Sequence, residues 1–256
     1  MNEFHALHRP GQPLVLPNAW DYASAAALVR AGFAAIGTTS LGVAAVHGLP
    51  DAHGAARAET VALARQLSRL GCLYTVDIEG GFGAAADVAA ELAALGASGV
   101  NVEDGRPDGT LAPPDEQAAL IAAIVERVPG LFVNARTDTH WLDPHASVDA
   151  AIARARVYAS AGAHGIFVPG MVDPADIGAL VAAVPLPLNV LAGSRPVAEL
   201  AAAGVARVST GSLLFRAALH AAVSTARAVA SGAPIADGIP GYAEVDALAP
   251  FRDVSG

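Results

Sequence analysis

Short apolar, β-rich runs alternate along the chain with Ala-rich stretches of helical period, eight times over and without a break in composition. The runs fall at Leu14 to Leu16, Ala35 to Thr38, Tyr74 to Ile78, Gly99 to Glu103, Phe132 to Ala135, Gly165 to Val168, Leu188 to Leu191 and Arg207 to Thr210. Brief apolar segments bounded by Gly, Asp and Pro suit parallel strands buried on both faces. The helical stretches are Asp21 to Ala31, Gly54 to Leu70, Ala84 to Leu95, Pro114 to Val128, Ser147 to Ala161, Asp173 to Ala183, Pro196 to Ala203 and Ser212 to Ser231. Gly32, Gly71, Gly96, Gly162 and Gly204 each follow one of these, where a left-handed residue without Cβ ends a helix cheaply. An αβ phrase recurring about every 30 residues predicts a (β/α)8 TIM barrel in one domain, residues 1–256. Barrel staves account for 1–231, and Pro and Gly leave 232–256 as an irregular tail.

Composition narrows the chemistry. All 15 basic residues are Arg, so no lysine is available for a Schiff base, a pyridoxal cofactor or a P-loop. A net charge of −9 without a basic run argues against nucleic acid, whose affinity comes from clustered cations. The N-terminus lacks a signal-peptide pattern and no apolar run reaches about 18 residues, so a cytoplasmic protein with no membrane contact is expected. Cys72 alone makes no disulfide and reads as a small core residue.

In such a barrel the strand C-termini share one mouth. Polar residues concentrate there: Thr38, Thr39 and Ser40; Asp77 and Glu79; Asn101, Glu103 and Asp104; Asn134, Arg136 and Asp138. Asp77 and Glu79 are two apart, as are Asn101 and Glu103, so strand alternation turns each pair to one side. Three carboxylates, Asp77, Glu79 and Glu103, then share a cavity, and their repulsion calls for a cation. Hard oxygen donors without a Cys or His pair favour Mg²⁺ or Mn²⁺ over zinc. A rival reading places a phosphate cup at Gly193, Ser194, Gly211 and Ser212. His140 is open to acid–base or structural duty, and Asn18, Trp20 and Tyr22 to mouth lining or packing.

From LVLPNAWDYASAAALVRAGFAAIGTTSLGVA through HGLPD, VDIEGGFG, GVNVEDG and NARTD to GAHGIFVPG and RVSTGSLLFRAAL, the chain resembles the isocitrate lyase and phosphoenolpyruvate mutase superfamily in its small mutase-like branch. The resemblance implies a last helix exchanged between subunits of a homotetramer, a dimer of dimers, and a Mg²⁺-bound 2-oxo acid or phosphonate handled through an enolate. Asp77 matches the direct metal contact, while Asp51, Glu79 and Glu103 match acids that hold its waters. Thr39 and Ser40 match the cradle of the substrate carboxylate, which Asp77 also reaches through the metal. Arg136 matches the clamp on the substrate's other anionic end and, with Asp51 and Glu103, makes up the implied catalytic group.

The sequence departs from the family in two places. Position 79 is Glu rather than Asp, one methylene and about 1.5 Å longer. The segment after the fourth strand, EDGRPDGTLAPPDEQ, lacks both the Lys-Lys-Cys-Gly-His of the lyases and the Lys and Asn of the mutases. Decarboxylation or hydrolysis of an oxaloacetate-type acid is therefore the preferred expectation. Phosphoenolpyruvate or phosphonopyruvate phosphomutase chemistry is the alternative enzyme reading, and a non-catalytic metabolite-binding barrel the reading from another class.

Overall fold

A computed structural model describes residues 3–249. Its strands are β1 (Leu14–Leu16), β2 (Asn18–Ala19), β3 (Ala35–Thr38), β4 (Leu73–Asp77), β5 (Gly99–Glu103), β6 (Phe132–Arg136), β7 (Gly165–Phe167), β8 (Leu188–Leu191) and β9 (Arg207–Ser209). All pair in parallel in the order β1-β9-β8-β7-β6-β5-β4-β3-β2. Nine strands appear where eight were expected because Pro17 parts the first stave. Proline has no N–H for the ladder, but its carbonyl still accepts from Gly37 N at 2.9 Å, so β1 closes on β9 and β2 on β3.

The predicted helices form within a few residues of their expected ends, as Tyr22–Arg30, Arg57–Leu67, Ala85–Ala94, Pro114–Arg127, Val148–Ser160, Pro174–Ala183, Val197–Ala202 and Leu213–Ser231. Side chains of Asp21, Ser147 and Asp173 accept from backbone N–H groups of the first turns, satisfying donors the helix leaves free. The five stop glycines all have positive φ, between 62° and 94°. Short helices at Ser40–Val46 and Thr139–Leu142 follow β3 and β6. The expected tail is not wholly irregular, since Tyr242–Asp246 is helical; its residues 250–256 lie outside the described ones.

The main core joins strand residues such as Val76, Val100, Val133 and Val190 to Leu67, Leu92, Ile121 and Leu180 of the helices. A smaller core, Phe4 with Leu14, Leu16, Ala35 and Phe132, closes the opposite end of the barrel. Phe4 meets Phe132 edge-on at 5.5 Å and His8 stacks on it at 4.1 Å. With that end plugged, the strand C-termini hold the open mouth. No helix among the described residues is long and apolar enough to cross a membrane.

Candidate active site

The mouth encloses a cavity of about 180 Å³, small against the 300–1,000 Å³ usual for drug-sized ligands. Thr38, Thr39 and Ser40, Asp51, Asp77, Glu103, Arg136 and Asp138 all contribute to its lining. Register explains much of this grouping: Asp77 pairs with Asn101 and Glu103 with Arg136 across adjacent strands. Thr38 Oγ1 accepts from Asp77 N at 2.9 Å, tying β3 to β4 where their polar residues emerge.

Arg136 is the electrostatic centre. Its Nη1 lies 2.7 Å from Glu103 Oε2, its Nε donates to Asp138 Oδ1 at 2.6 Å, and its Nη2 donates to Asp138 Oδ2 at 3.1 Å. The Phe167 ring covers the guanidinium at 5.7 Å. Burial disfavours the charge, but Glu103, Asp138 and Asp77 outweigh it and hold Arg136 above its ordinary range. Burial also raises Glu103 well above the carboxylate range and raises Asp138, against the pull of Arg136. Asp77 is raised by burial, then lowered by Arg136 and raised again by Asp51. The expectation that repulsion among these acids needs a metal is thus met in part by a guanidinium.

Glu79 departs from the predicted alternation. Strand β4 ends at Asp77, and Glu79 has φ +49°, a left-handed backbone that redirects its side chain. Its Oε2 accepts from Gly54 N at 2.7 Å, and it lines an adjoining groove rather than the cavity itself. Burial raises its pKa, against the Gly54 hydrogen bond. Ala52 and Phe82, also at the rim, share the strained positive φ, at 59° and 53°.

Among the described residues, no three Asp, Glu, His or Cys side chains converge as a metal-ligand set. Asp77 and Glu103 line one cavity, but Glu79 does not join them there as strand alternation predicted. The donor set still fits Mg²⁺, which keeps several waters and takes only one or two carboxylates. Asp51 Oδ1 and Glu79 Oε1 are buried carboxylate oxygens without a hydrogen-bond partner among the described residues. Leaving such a group bare costs about 1–3 kcal/mol, and a hydrated cation beside Asp77 would satisfy both.

Several sequence candidates have other duties. Asn18 lines the cavity, yet its Nδ2 donates to Thr38 O at 2.7 Å and its Oδ1 accepts from Gly211 N at 2.9 Å and Thr210 N at 3.0 Å, sealing the barrel seam. A side chain at Gly37 would stand 2.7 Å from that amide. Trp20 packs edge-on against Phe215 at 5.4 Å, and Tyr22 lies beneath Arg69 at 5.5 Å. His140 is buried beside Thr139 and does not line the cavity. The phosphate cup does not assemble: Gly211 and Ser212 border the main cavity, Gly193 and Ser194 a separate small one. Cys72 is half-buried outside both, its thiol raised by burial.

Two arrangements carried no sequence signal, the partners of Asp104 and the burial of Arg207. Asp104, next to Glu103, anchors a network: its Oδ2 accepts from Tyr158 Oη at 2.6 Å and Arg154 Nη1 at 3.0 Å, its Oδ1 from Asp138 N at 2.8 Å. Arg207 is fully buried inside the barrel; Nη2 donates to Asn101 Oδ1 at 3.3 Å, while Nε and Nη1 find no partner among the described residues. Burial lowers it to about 9, against a raising influence from Asp77.

The family model described as phosphoenolpyruvate phosphomutase matches residues 4–230. An uncharacterized protein of Mycobacterium tuberculosis (strain CDC 1551 / Oshkosh) is 46% identical over 246 residues, 95% of each chain. The 2-methylisocitrate lyase of Bacillus subtilis (strain 168) is 34% identical over 68% of this chain and 61% of its own. The oxaloacetate decarboxylase of Bradyrhizobium sp. (strain BTAi1 / ATCC BAA-1182) is 31% identical over 74% and 70%. Among solved structures, a candidate phosphonomutase from Burkholderia cenocepacia J2315 matches at TM-score 0.83 and 40% identity, covering 88% of this chain and 96% of its own. A phosphonopyruvate hydrolase in complex with oxalate and Mg²⁺ matches at TM-score 0.82 and 25% identity over 96% and 93%. With a strand-end carboxylate site on a parallel barrel and matches along nearly its whole length, the chain belongs to the phosphoenolpyruvate phosphomutase family of the isocitrate lyase and phosphoenolpyruvate mutase superfamily of enzymes.

Proposed function

We propose that this protein is a Mg²⁺-dependent enzyme that breaks a bond at C3 of a small 2-oxo acid, an oxaloacetate-type decarboxylase or hydrolase, leaving an enolate. The carrying observation is the small cavity in which Asp51, Asp77 and Glu103 surround a space bordered by Arg136. Bound beside Asp77, Mg²⁺ would polarise the 2-oxo group and stabilise developing enolate charge. Asp51 and Glu79 would hold its waters through their bare oxygens. Thr39 and Ser40, from the turn after β3, would meet the substrate carboxylate. Arg136 would face the substrate's far side, already oriented by Glu103 and Asp138. Glu103, a cavity carboxyl raised by burial against the pull of Arg136, is the group we assign to return a proton to the enolate.

A cysteine-dependent lyase is disfavoured, because the segment after β5 contains no Cys and Cys72 lies elsewhere. Phosphonopyruvate or phosphoenolpyruvate phosphomutase chemistry is the second reading, favoured by the family match and by the similarity to the Burkholderia cenocepacia phosphonomutase-like structure. We also propose that the helix Leu213–Ser231 docks on a second subunit, within a tetramer. Of its side chains only Phe215 is buried, and Leu213, Leu219, Val223 and Val229 are exposed.

The test is purified protein with oxaloacetate and with phosphonopyruvate, followed by NMR with and without chelator. From oxaloacetate, pyruvate with CO₂ or oxalate with acetate formed faster than with Mg²⁺ alone supports the first reading, and phosphoenolpyruvate formed from phosphonopyruvate supports the second. Binding of oxalate without turnover of either acid would leave a metabolite-binding barrel. Light scattering that returns a monomer would refute the docking of the last helix.

A further inference from the structure

Charge around the cavity is unbalanced in a way that points to one residue. Among the described residues its lining holds four carboxylates, Asp51, Asp77, Glu103 and Asp138, and two cations, Arg106 and Arg136. Arg136 already donates to two of the carboxylates. A substrate with a second anionic group beyond the one near the metal therefore meets, besides the already engaged Arg136, one cation not engaged with the cavity acids, Arg106.

Arg106 belongs to a strap that is built firm. A bridge joins Gly105 to Leu111, Arg106 N donates to Thr110 O at 2.8 Å, and Gly109 N donates to Arg106 O at 2.9 Å. Asp108 Oδ1 accepts from Thr110 N at 3.0 Å and Oγ1 at 2.6 Å. The strap's base is tied down where Ala112 N donates to Asp104 O at 2.7 Å and Arg154 Nη1 to Ala112 O at 2.8 Å. Gly105 lets the strap press on the site, since a Cβ there would fall 2.4 Å from Asp138 Oδ2. The backbone of residue 106 is thus held at the mouth.

The side chain is held loosely by comparison. Arg106 Nη2 donates to Glu116 Oε1 at 2.8 Å and Oε2 at 2.7 Å, with the two side chains 40% and 61% exposed. Such an exposed pair contributes about 0–1 kcal/mol, little to set against a substrate carboxylate in a confined cavity. Arg106 lines both the cavity and the adjoining groove, which Glu116 also lines, so one guanidinium borders both spaces.

We propose that Arg106 determines specificity for 2-oxo acids bearing a second anionic group, exchanging its pair with Glu116 for the substrate's distal carboxylate while the strap backbone stays in place. This rests on the metal and 2-oxo-acid reading above. The test measures Mg²⁺-dependent binding of two probes by calorimetry. Oxalate mimics the chelating end and reaches no further, whereas 3,3-difluorooxaloacetate carries the distal carboxylate and cannot enolise. In Arg106→Gln the diacid should bind about 10- to 100-fold more weakly, the loss of one charge-assisted hydrogen-bonded contact, with oxalate within about twofold. Glu116→Gln should tighten the diacid by up to about fivefold, since it releases the pair. Equal diacid binding by Arg106→Gln and wild type would overturn the proposal, as would a parallel loss of oxalate, which would mark a structural role. Wild-type protein that binds neither probe would instead remove the 2-oxo-acid reading beneath it.

Discussion

Replacing Arg136 with Gln puts the electrostatics of the site to a direct test. The guanidinium bridges Glu103 and Asp138 at 2.7 and 2.6 Å, and the side chains are 15%, 5% and 4% exposed. Glutamine removes the charge and leaves two buried carboxylates facing each other. Removing one partner of a buried ion pair costs about 3–5 kcal/mol, which for a domain of this size is a fall in Tm of roughly 6–20 °C. The sign of the pH dependence follows from linkage. Glu103 and Asp138 are already raised by burial despite Arg136, and its removal raises them further. The folded variant then holds protons that its unfolded chain releases near the ordinary carboxylate range of about 4. Stability linked to those protons is present at low pH and lost as pH rises through the raised folded values. The gap between variant and wild type should therefore be widest at pH 7.5 and narrow toward pH 5. Calorimetric or urea unfolding of both proteins across that range, without metal, measures it. A variant that melts within about 2 °C of wild type at pH 7.5, with no narrowing in acid, would refute the reasoning.

Asp77→Asn should abolish the Mg²⁺-dependent rise in Tm and metal-dependent turnover while leaving the circular dichroism spectrum unchanged; a retained metal response would remove Asp77 from the site. Because burial raises Asp77, Glu79 and Glu103, protons compete with the cation, so the Tm rise with Mg²⁺ should grow from pH 5.5 to pH 8, and a flat profile would count against metal binding there. Tyr158→Phe deletes the 2.6 Å donor to Asp104 and should cost about 1.5–3 kcal/mol, read as a lower urea midpoint at unchanged m; a shift under 0.5 kcal/mol would show that Arg154 and Asp138 N suffice. His8, lowered to about 3 by burial and then Arg207, contributes stability above pH 6.5 that is lost as pH falls toward 3. His8→Phe should thus flatten acid unfolding by up to about 1.4 kcal/mol per pH unit, checked by denaturation between pH 4 and 6.

The barrel was legible because its determinants are local. A strand buried on both faces reads as an uninterrupted apolar run, and helix stops need a residue tolerant of positive φ, which is why five glycines mark five helix ends. The clustering of Asp77, Glu103 and Arg136 was legible too, since strand ends of a barrel converge whatever the loops between them. Tertiary structure decided what those charges do to one another. The left-handed turn at Glu79 takes it out of the triad that alternation predicted. Arg136 engages Glu103 across the strand register and Asp138 two residues along, so its charge is partly committed before any substrate arrives. Asp104 meets Tyr158, 54 residues on, and Arg207 meets Asn101, 106 residues away. No short-range pattern encodes such pairings, because hydrogen bonds and ion pairs depend on distances in space that only the packed chain defines.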